Sequence, residues 1–129
     1  MATTTKPATA HLVQYIILRK DLLPKGKSNS WTWGAVIAQA CHSATACLFT
    51  FRDDSYVQEY LKDLGSMHKV VLSVPDLPSL TDLYEQSREK GIDSFPWLEQ
   101  PENTITALAF KPYPKELIHP LVSHLKLLR

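Results

Sequence analysis

The most constraining feature of this sequence is the run at residues 12–18, LVQYIIL, which is almost entirely apolar and rich in β-branched side chains. A strand with one face in water would alternate apolar and polar residues, and this run does not. It therefore predicts a strand that is covered on both faces, as the central strands of parallel sheets are. Such a strand needs a layer of helices on each side of its sheet.

The length and charge of the chain narrow the classes to which it can belong. Its 129 residues suit one domain, and 44% hydrophobic against 21% charged residues is typical of a globular chain. The net charge of +1 gives no overall field that would attract nucleic acid or membrane, so a polyanion site would have to be local. We expect residues 1–10, MATTTKPATA, to be a disordered N-terminal segment and residues 11–129 to form a single domain.

Turn and cap residues divide the chain into strands and helices in the order β-α-α-β-α-β-β-α. Helices that separate strands predict crossover connections with helices on both faces of the sheet. Pro96 favours an edge position or a bulge for the third strand, and the short turn after the strand predicts antiparallel pairing with the fourth. The predicted fold class is an α/β three-layer sandwich with a four-stranded mixed β-sheet. Its strands are residues 12–18, 68–74, 92–99 and 104–110, and its helices are residues 30–51, 55–64, 80–90 and the segment from 114 onward.

The two cysteines, Cys41 and Cys47, lie six residues apart in the predicted first helix. The helical rise alone separates them by about 9 Å, which exceeds the roughly 7 Å limit for a disulfide. We therefore expect two reduced, buried thiols and a cytoplasmic protein.

The stretch GAVIAQACHSATA, residues 34–46, places two polar side chains in a helix of small residues. On a helical wheel, Gln39 and His42 lie outside the apolar arc and flank a strip formed by Ala35 and Ala46. One interpretation is a helix packed closely on a neighbouring loop, with His42 bonded to a carbonyl. The other is the wall of a site at the first crossover, where open α/β sheets bind ligands.

Four stretches of the sequence together resemble a known family: YIILRKDL, GAVIAQACHSA, HKVVLSV and TITALAFKPYPKELI with the closing HLKLL. They are similar to the first strand, the Gly-Lys-x-Ala-Ala-Gln-x-x-His-Ala helix, the Lys-Val-Val strand and the C-terminal part of the type-two peptidyl-tRNA hydrolases. More narrowly, the chain resembles the divergent eukaryotic branch called peptidyl-tRNA hydrolase domain-containing proteins.

The resemblance implies an enzyme of translation that cleaves the ester between a peptide and the terminal ribose of tRNA. This hydrolase chemistry needs a base for water, donors for the oxyanion and positive charge for the phosphates. The implied partner is the acceptor end of peptidyl-tRNA, with no cofactor, no metal and no membrane, and a homodimer is left open.

The resemblance also assigns a site, residue by residue. The implied catalytic residues are His42, Lys69 and Glu99, where the family's aspartate position falls at Glu99 or Gln100. The implied substrate-binding residues are Gln39, Asp21 and Thr104. Lys25, Lys27 and Trp31 have no counterpart in the family motifs, and we expect them to bind substrate because they bring positive charge and an aromatic ring to the segment before the first helix.

Each assignment has a structural alternative. His42 either polarises the ester or relays a proton, or it is an orienting, hydrogen-bonded histidine. Glu99 either replaces a family aspartate as base or is a surface carboxylate at a strand end. Lys25 and Lys27 either replace a family lysine or lie in a solvated loop. Trp31 either stacks on unpaired bases or wedges the helix start against the sheet.

Two departures from the family pattern set the functional alternatives. Gly34 is followed by Ala35 where the family has Gly-Lys, and WLEQPENTIT is a shorter hairpin without the family's Asp-Ala-Gly-x-Thr. The first hypothesis is a peptidyl-tRNA hydrolase with a rearranged site. The alternative is a catalytically impaired member that acts as an RNA- or protein-binding module, and a third is an interaction domain unrelated to tRNA.

Overall fold

The computed structural model describes residues 11–24 and 31–129 of the chain. The predicted disorder of residues 1–10 lies outside this part. In chain order the elements are β1 (Leu12–Arg19), α1 (Trp33–Thr50), α2 (Ser55–Leu61), β2 (Lys69–Val74), α3 (Leu77–Glu89), β3 (Ser94–Glu99), β4 (Thr104–Phe110), β5 (Tyr113–Pro114), α4 (Lys115–Val122) and β6 (Lys126–Leu127), with short 3₁₀ turns at Lys20–Leu22 and Leu64–Ser66.

The strands form one mixed sheet in the order β3-β4-β1-β2-β6, and β5 pairs with β1. β1 runs parallel to β2 and antiparallel to β4, and β3 is antiparallel to β4 at the edge, as Pro96 predicts. The prediction of four strands is wrong in number, because the described residues contain six. β5 and β6 have two residues each, too few for alternation in the sequence to reveal them.

The predicted three-layer sandwich is confirmed, and β1 lies at its centre with residues 12–18 all buried. Its side chains at Val13, Tyr15 and Ile17 pack into a core with residues of α3 and α4. On the opposite face, Ile16 and Leu18 pack against α1. The helices cover both faces of β1, and this explains the continuous apolar run.

Side chains close the helix ends where the sequence offers caps. The Thr32 hydroxyl accepts a hydrogen bond from the Ala35 N–H at 3.1 Å, so α1 begins at Trp33 rather than beside Ser30. The Asp76 carboxylate accepts a hydrogen bond from the Ser79 N–H at 3.0 Å and caps α3, which begins at Leu77.

The two thiols occupy different surroundings. Cys47 is buried, and burial raises the pKa of its thiol to about 12. Cys41 is exposed, so the prediction that both cysteines are buried is wrong for Cys41. The part of the α1 surface that is buried is narrower than the arc of apolar residues on its helical wheel. The reason is that α1 packs mainly over β3, β4 and β1, so the side of the helix that carries Ile37 and Cys41 stays open. Within the described part of the chain, no helix is long and apolar enough to cross a membrane.

An ion triad around the buried Lys111 lies just after the end of β4. The Lys111 ammonium donates to Asp54 at 2.8 Å and to Asp93 at 2.9 Å, and it lies 4.8 Å from the centre of the Tyr113 ring. Burial alone would lower the pKa of Lys111, but the two carboxylates outweigh burial and raise it above its ordinary value. Partial burial would likewise raise the pKa of Asp54, but the hydrogen bonds from Lys111 and from the Tyr56 backbone hold it below its usual 3.8.

The Asp54→Asn variant should lose about 1–2 kcal/mol of unfolding free energy at neutral pH, a value reduced for the partial exposure of the group. Asparagine can still cap α2, but it removes the charge that faces Lys111. Because the pKa of Asp54 is depressed in the folded state, its contribution is present above 3.8 and is lost as pH falls through the folded value. Urea titrations at several pH values should therefore show that the unfolding free energy falls less at acid pH in the variant than in the wild type.

Asp53→Asn is the matched control, since Asp53 is exposed and its side chain makes no ion pair or hydrogen bond among the described residues. An equal loss in both variants would show that the triad contributes nothing specific.

Candidate active site

A β-bulge shapes the strand beneath the amino half of α1. Trp97 pairs with Ala107 and Leu98 pairs with Ile105, so Thr106 is an extra residue on β4. A bulge re-aims the side chains beside it. Ala107 packs against the α1 side of the sheet, and the hydroxyl of Thr106 also reaches α1.

Gln39 receives that hydroxyl. Its Oε1 accepts a hydrogen bond from Thr106 Oγ1 at 2.8 Å, and its Nε2 donates to the Ala35 carbonyl at 3.1 Å. The residue is only 2% exposed. In this structure the Gln39 amide therefore ties α1 to β4 rather than facing an open surface. Its predicted substrate-binding role stays a prediction.

His42 lies one helical turn further along α1 and is exposed. Its ring stacks on the indole of Trp97, with 4.6 Å between the ring centroids and 21° between the planes. Trp97 Nε1 in turn donates to Glu99 Oε1 at 2.8 Å. The same indole thus contacts the imidazole through its face and the carboxylate through its N–H. Two of the residues predicted to be catalytic are brought together by a residue that the sequence analysis did not select.

A second cluster of polar side chains, formed by Thr104, Arg19 and Asp21, lies next to Glu99 on the sheet. Glu99 pairs with Thr104 across the β3–β4 hairpin. The Thr104 hydroxyl accepts a hydrogen bond from Arg19 Nη1 at 2.9 Å. The Arg19 guanidinium also donates two hydrogen bonds to the Asp21 carboxylate, at 3.1 and 2.9 Å. Asp21 and Thr104, both predicted to bind substrate, are therefore joined through Arg19 at the carboxyl end of β1.

Lys69 is not part of this cluster. It begins β2, donates a hydrogen bond to the buried Gln14 and lies 3.4 Å from the Tyr60 hydroxyl. It faces the flank of α1 that carries Cys41, whereas His42 faces the flank over β3. A catalytic role for Lys69 beside His42 has no geometric support in the described residues.

The remaining predicted residues fall at the start of α1. Trp31 is half-buried and packs against the cluster of Leu22, Leu23 and Val36, which favours its interpretation as a wedge. Lys25 and Lys27 lie outside the described residues, so their predicted roles stay predictions.

Three positioning residues were missed from sequence, namely Trp97, Thr106 and Arg19. Arg19 was within the quoted YIILRKDL stretch, where its spacing to Asp21 was a usable signal. Trp97 and Thr106 depend on the register of the hairpin, which the sequence does not reveal.

The chain is similar to known proteins along most of its length. A family model described as "Peptidyl-tRNA hydrolase PTH2" matches residues 12–128. The chain belongs to this family. It is 53% identical over 105 residues to a Homo sapiens protein named "Putative peptidyl-tRNA hydrolase PTRHD1", covering 81% of this chain and 74% of that protein. It is 47% identical over 118 residues to the Mus musculus protein of the same name, and the match covers 92% of this chain and 83% of that protein.

The similarity extends to archaea. A Methanothermobacter thermautotrophicus protein named "Peptidyl-tRNA hydrolase" is 31% identical over 121 residues, which cover 89% of this chain and 98% of that protein. The family match spans every strand of the central sheet, so it includes all of the residues in the His42 and Arg19 groups.

The Gln39–Thr106 bond gives a test of how this family member holds α1 over the sheet. Thr106→Val should cost about 1–3 kcal/mol, because it leaves the Gln39 carbonyl oxygen buried without a donor. Gln39→Leu combined with Thr106→Val should cost less than the sum of the single changes. Thermal and urea unfolding measure both effects. The control is Thr81→Val on the exposed surface of α3, and additive losses would contradict the coupling.

Proposed function

We propose that the protein hydrolyses the ester between a peptide and the terminal ribose of tRNA. The observation that carries this proposal is the exposed His42 imidazole stacked on Trp97, with the Glu99 carboxylate held by the same indole. Membership of the peptidyl-tRNA hydrolase family supports it. The described residues contain no group of three His, Cys, Asp or Glu side chains that could hold a metal ion.

Glu99 acts as the base in this proposal. Its Oε1 is occupied by Trp97, and Oε2 has no other partner among the described residues. Oε2 takes a proton from a water molecule as the water oxygen bonds to the ester carbonyl carbon. The carbon–oxygen bond to the ribose then breaks, and the ribose oxygen leaves with a proton.

His42 acts on the carbonyl oxygen and on the leaving ribose oxygen in this proposal. As imidazolium it donates a hydrogen bond to the carbonyl oxygen, where negative charge develops, and it delivers the proton to the ribose oxygen. Stacking on Trp97 fixes the plane of the ring, so both roles need little reorganisation. Gln39 positions His42 indirectly, since it anchors the preceding turn of α1 to β4.

The tRNA is bound through charge and stacking in this proposal. Lys25 and Lys27 contact phosphates near the acceptor end, and Asp21 and Thr104, held through Arg19, contact its terminal nucleotide. The proposed location is the cytoplasm, where translation supplies peptidyl-tRNA.

Purified protein incubated with a defined peptidyl-tRNA should release free tRNA. His42→Ala should lower kcat/KM by about 10²–10⁴-fold, the range for loss of a general acid–base group. His119→Ala, which removes an exposed histidine from α4, should leave the rate unchanged. Equal rates in His42→Ala and the wild type would contradict the proposed mechanism.

Glu99→Gln should lower kcat by about 10²-fold or more, because glutamine can still accept from Trp97 Nε1 but cannot take the proton. Glu102→Gln in the exposed turn is the control and should keep the wild-type kcat. A kcat in Glu99→Gln equal to that of Glu102→Gln would assign the base elsewhere.

The binding-module alternative has two sequence observations in its favour, the alanine at position 35 where the family pattern has lysine and the short hairpin without the family's Asp-Ala-Gly-x-Thr. Its signature is salt-sensitive tRNA binding without tRNA release.

A further inference from the structure

A large groove lies on the flank of α1 opposite His42. It has a volume of about 610 Å³, and its floor is formed by Ile16, Leu18 and Val71 of the sheet. One wall is α1, and the other is the end of α2 with the turn that leads into β2. α1 packs mainly over β3, β4 and β1, so this face of β2 is left open to the groove.

Apolar side chains are concentrated in this groove. Of the nine large hydrophobic side chains that are exposed in the described residues, five line it. They are Trp33, Ile37, Leu61, Leu64 and Met67, which are between 38% and 64% exposed. Grouped exposure of this kind marks an interaction site rather than scattered surface residues.

The groove has a single charged group. Lys69 is the only charged residue among the described residues that line it. Much of its side chain is open to the groove, but its ammonium bonds to the fully buried Gln14 and lies 5.2 Å from the centre of the Tyr60 ring. An ammonium has three donors, and Gln14 fixes one of them at the floor. Partial burial lowers the pKa of Lys69, as expected for a cation that lacks an anionic partner.

We propose that this groove binds a long-chain monocarboxylate, with its hydrocarbon chain between α1 and the α2 end and its carboxylate on Lys69. The volume lies in the range of about 300–1,000 Å³ that single small ligands occupy. Within the described ranges no carboxylate lines the groove beside this cation, which matches a ligand with one anionic group. The concave shape, with apolar side chains on three sides, fits a flexible chain better than the flat surface of a protein partner.

The site is independent of the proposed hydrolysis. Ile37 and Lys69 face away from the Trp97 side of α1, so neither contacts the His42 group. Cys41 also lines the groove and is exposed, whereas Cys47 is buried. The rate at which N-ethylmaleimide alkylates Cys41 therefore reports whether a ligand occupies the groove.

The test is calorimetric titration of the full chain with dodecanoate below its micellar concentration. One-to-one binding is expected, together with slower alkylation of Cys41 in the presence of the ligand. Lys69→Gln should weaken the affinity by about tenfold or more, since a hydrogen bond to a charged group is lost. Lys69→Arg should restore most of it.

Ile37→Glu places a negative charge in the groove. The variant should no longer bind dodecanoate and should bind dodecylammonium instead. Its control is Leu117→Glu, which changes an exposed apolar residue of α4 outside the groove. Ile37→Glu should hydrolyse peptidyl-tRNA at the wild-type rate, so failure of this proposal is distinct from failure of the proposed function.

Three outcomes would overturn the proposal. They are no saturable binding of dodecanoate, equal affinity of the wild type for dodecanoate and dodecylammonium, and an unchanged affinity in Lys69→Gln. A dimer in sedimentation that Ile37→Glu dissociates and dodecanoate does not would assign the groove to a second copy instead.

Discussion

The structure depends on burial of β1 from both sides. Every residue from 12 to 18 is buried, and β1 makes the sheet contacts to β2, β4 and β5. Full burial of one large apolar side chain contributes about 1.5–3 kcal/mol, so the apolar residues of this strand contribute strongly to stability. Gln14 is the polar exception in the run, and its burial requires partners. It finds them in the Lys69 ammonium and the Ala44 carbonyl, which link β1 to β2 and to α1.

The alanines of α1 explain how the site is positioned over that strand. Ala40 and Ala44 pack against the face of the sheet that carries Ile16 and Ala109. Small residues on both surfaces let the helix axis approach the strands closely. This approach, together with the bulge, brings Gln39 within 2.8 Å of Thr106. Larger side chains here would lift the helix, break that bond and move His42 away from Trp97.

The sequence predicted the parts of the fold that follow from local patterns. The central strand, the order of the main elements and the edge position of Pro96 are all properties of nearby residues. The strands β5 and β6 could not be predicted, because their pairing is set by where the chain passes the sheet. The exposure of Cys41 was missed for a related reason, since the width of the buried arc depends on which strands α1 covers.

The candidate site divides in the same way. The resemblance selected His42 and Glu99, which the structure places on the same indole, but it also selected Lys69, which lies on the other flank of α1. A motif gives residue types along the chain, whereas the site is defined by the register of a hairpin. The bulge at Thr106 shifts that register by one residue, and no local pattern records the shift.

The helix α1 therefore serves two surfaces with opposite requirements. Towards β3 it presents an exposed polar ring on a rigid aromatic support, as an acid–base group needs. Towards β2 it presents exposed apolar side chains beside one cation, as an amphiphilic ligand needs. The Gln39–Thr106 bond and the Ala40 and Ala44 contacts pin the helix between these surfaces. Because the helix is fixed along its buried face, occupation of the groove need not displace His42, and both surfaces can be occupied at once.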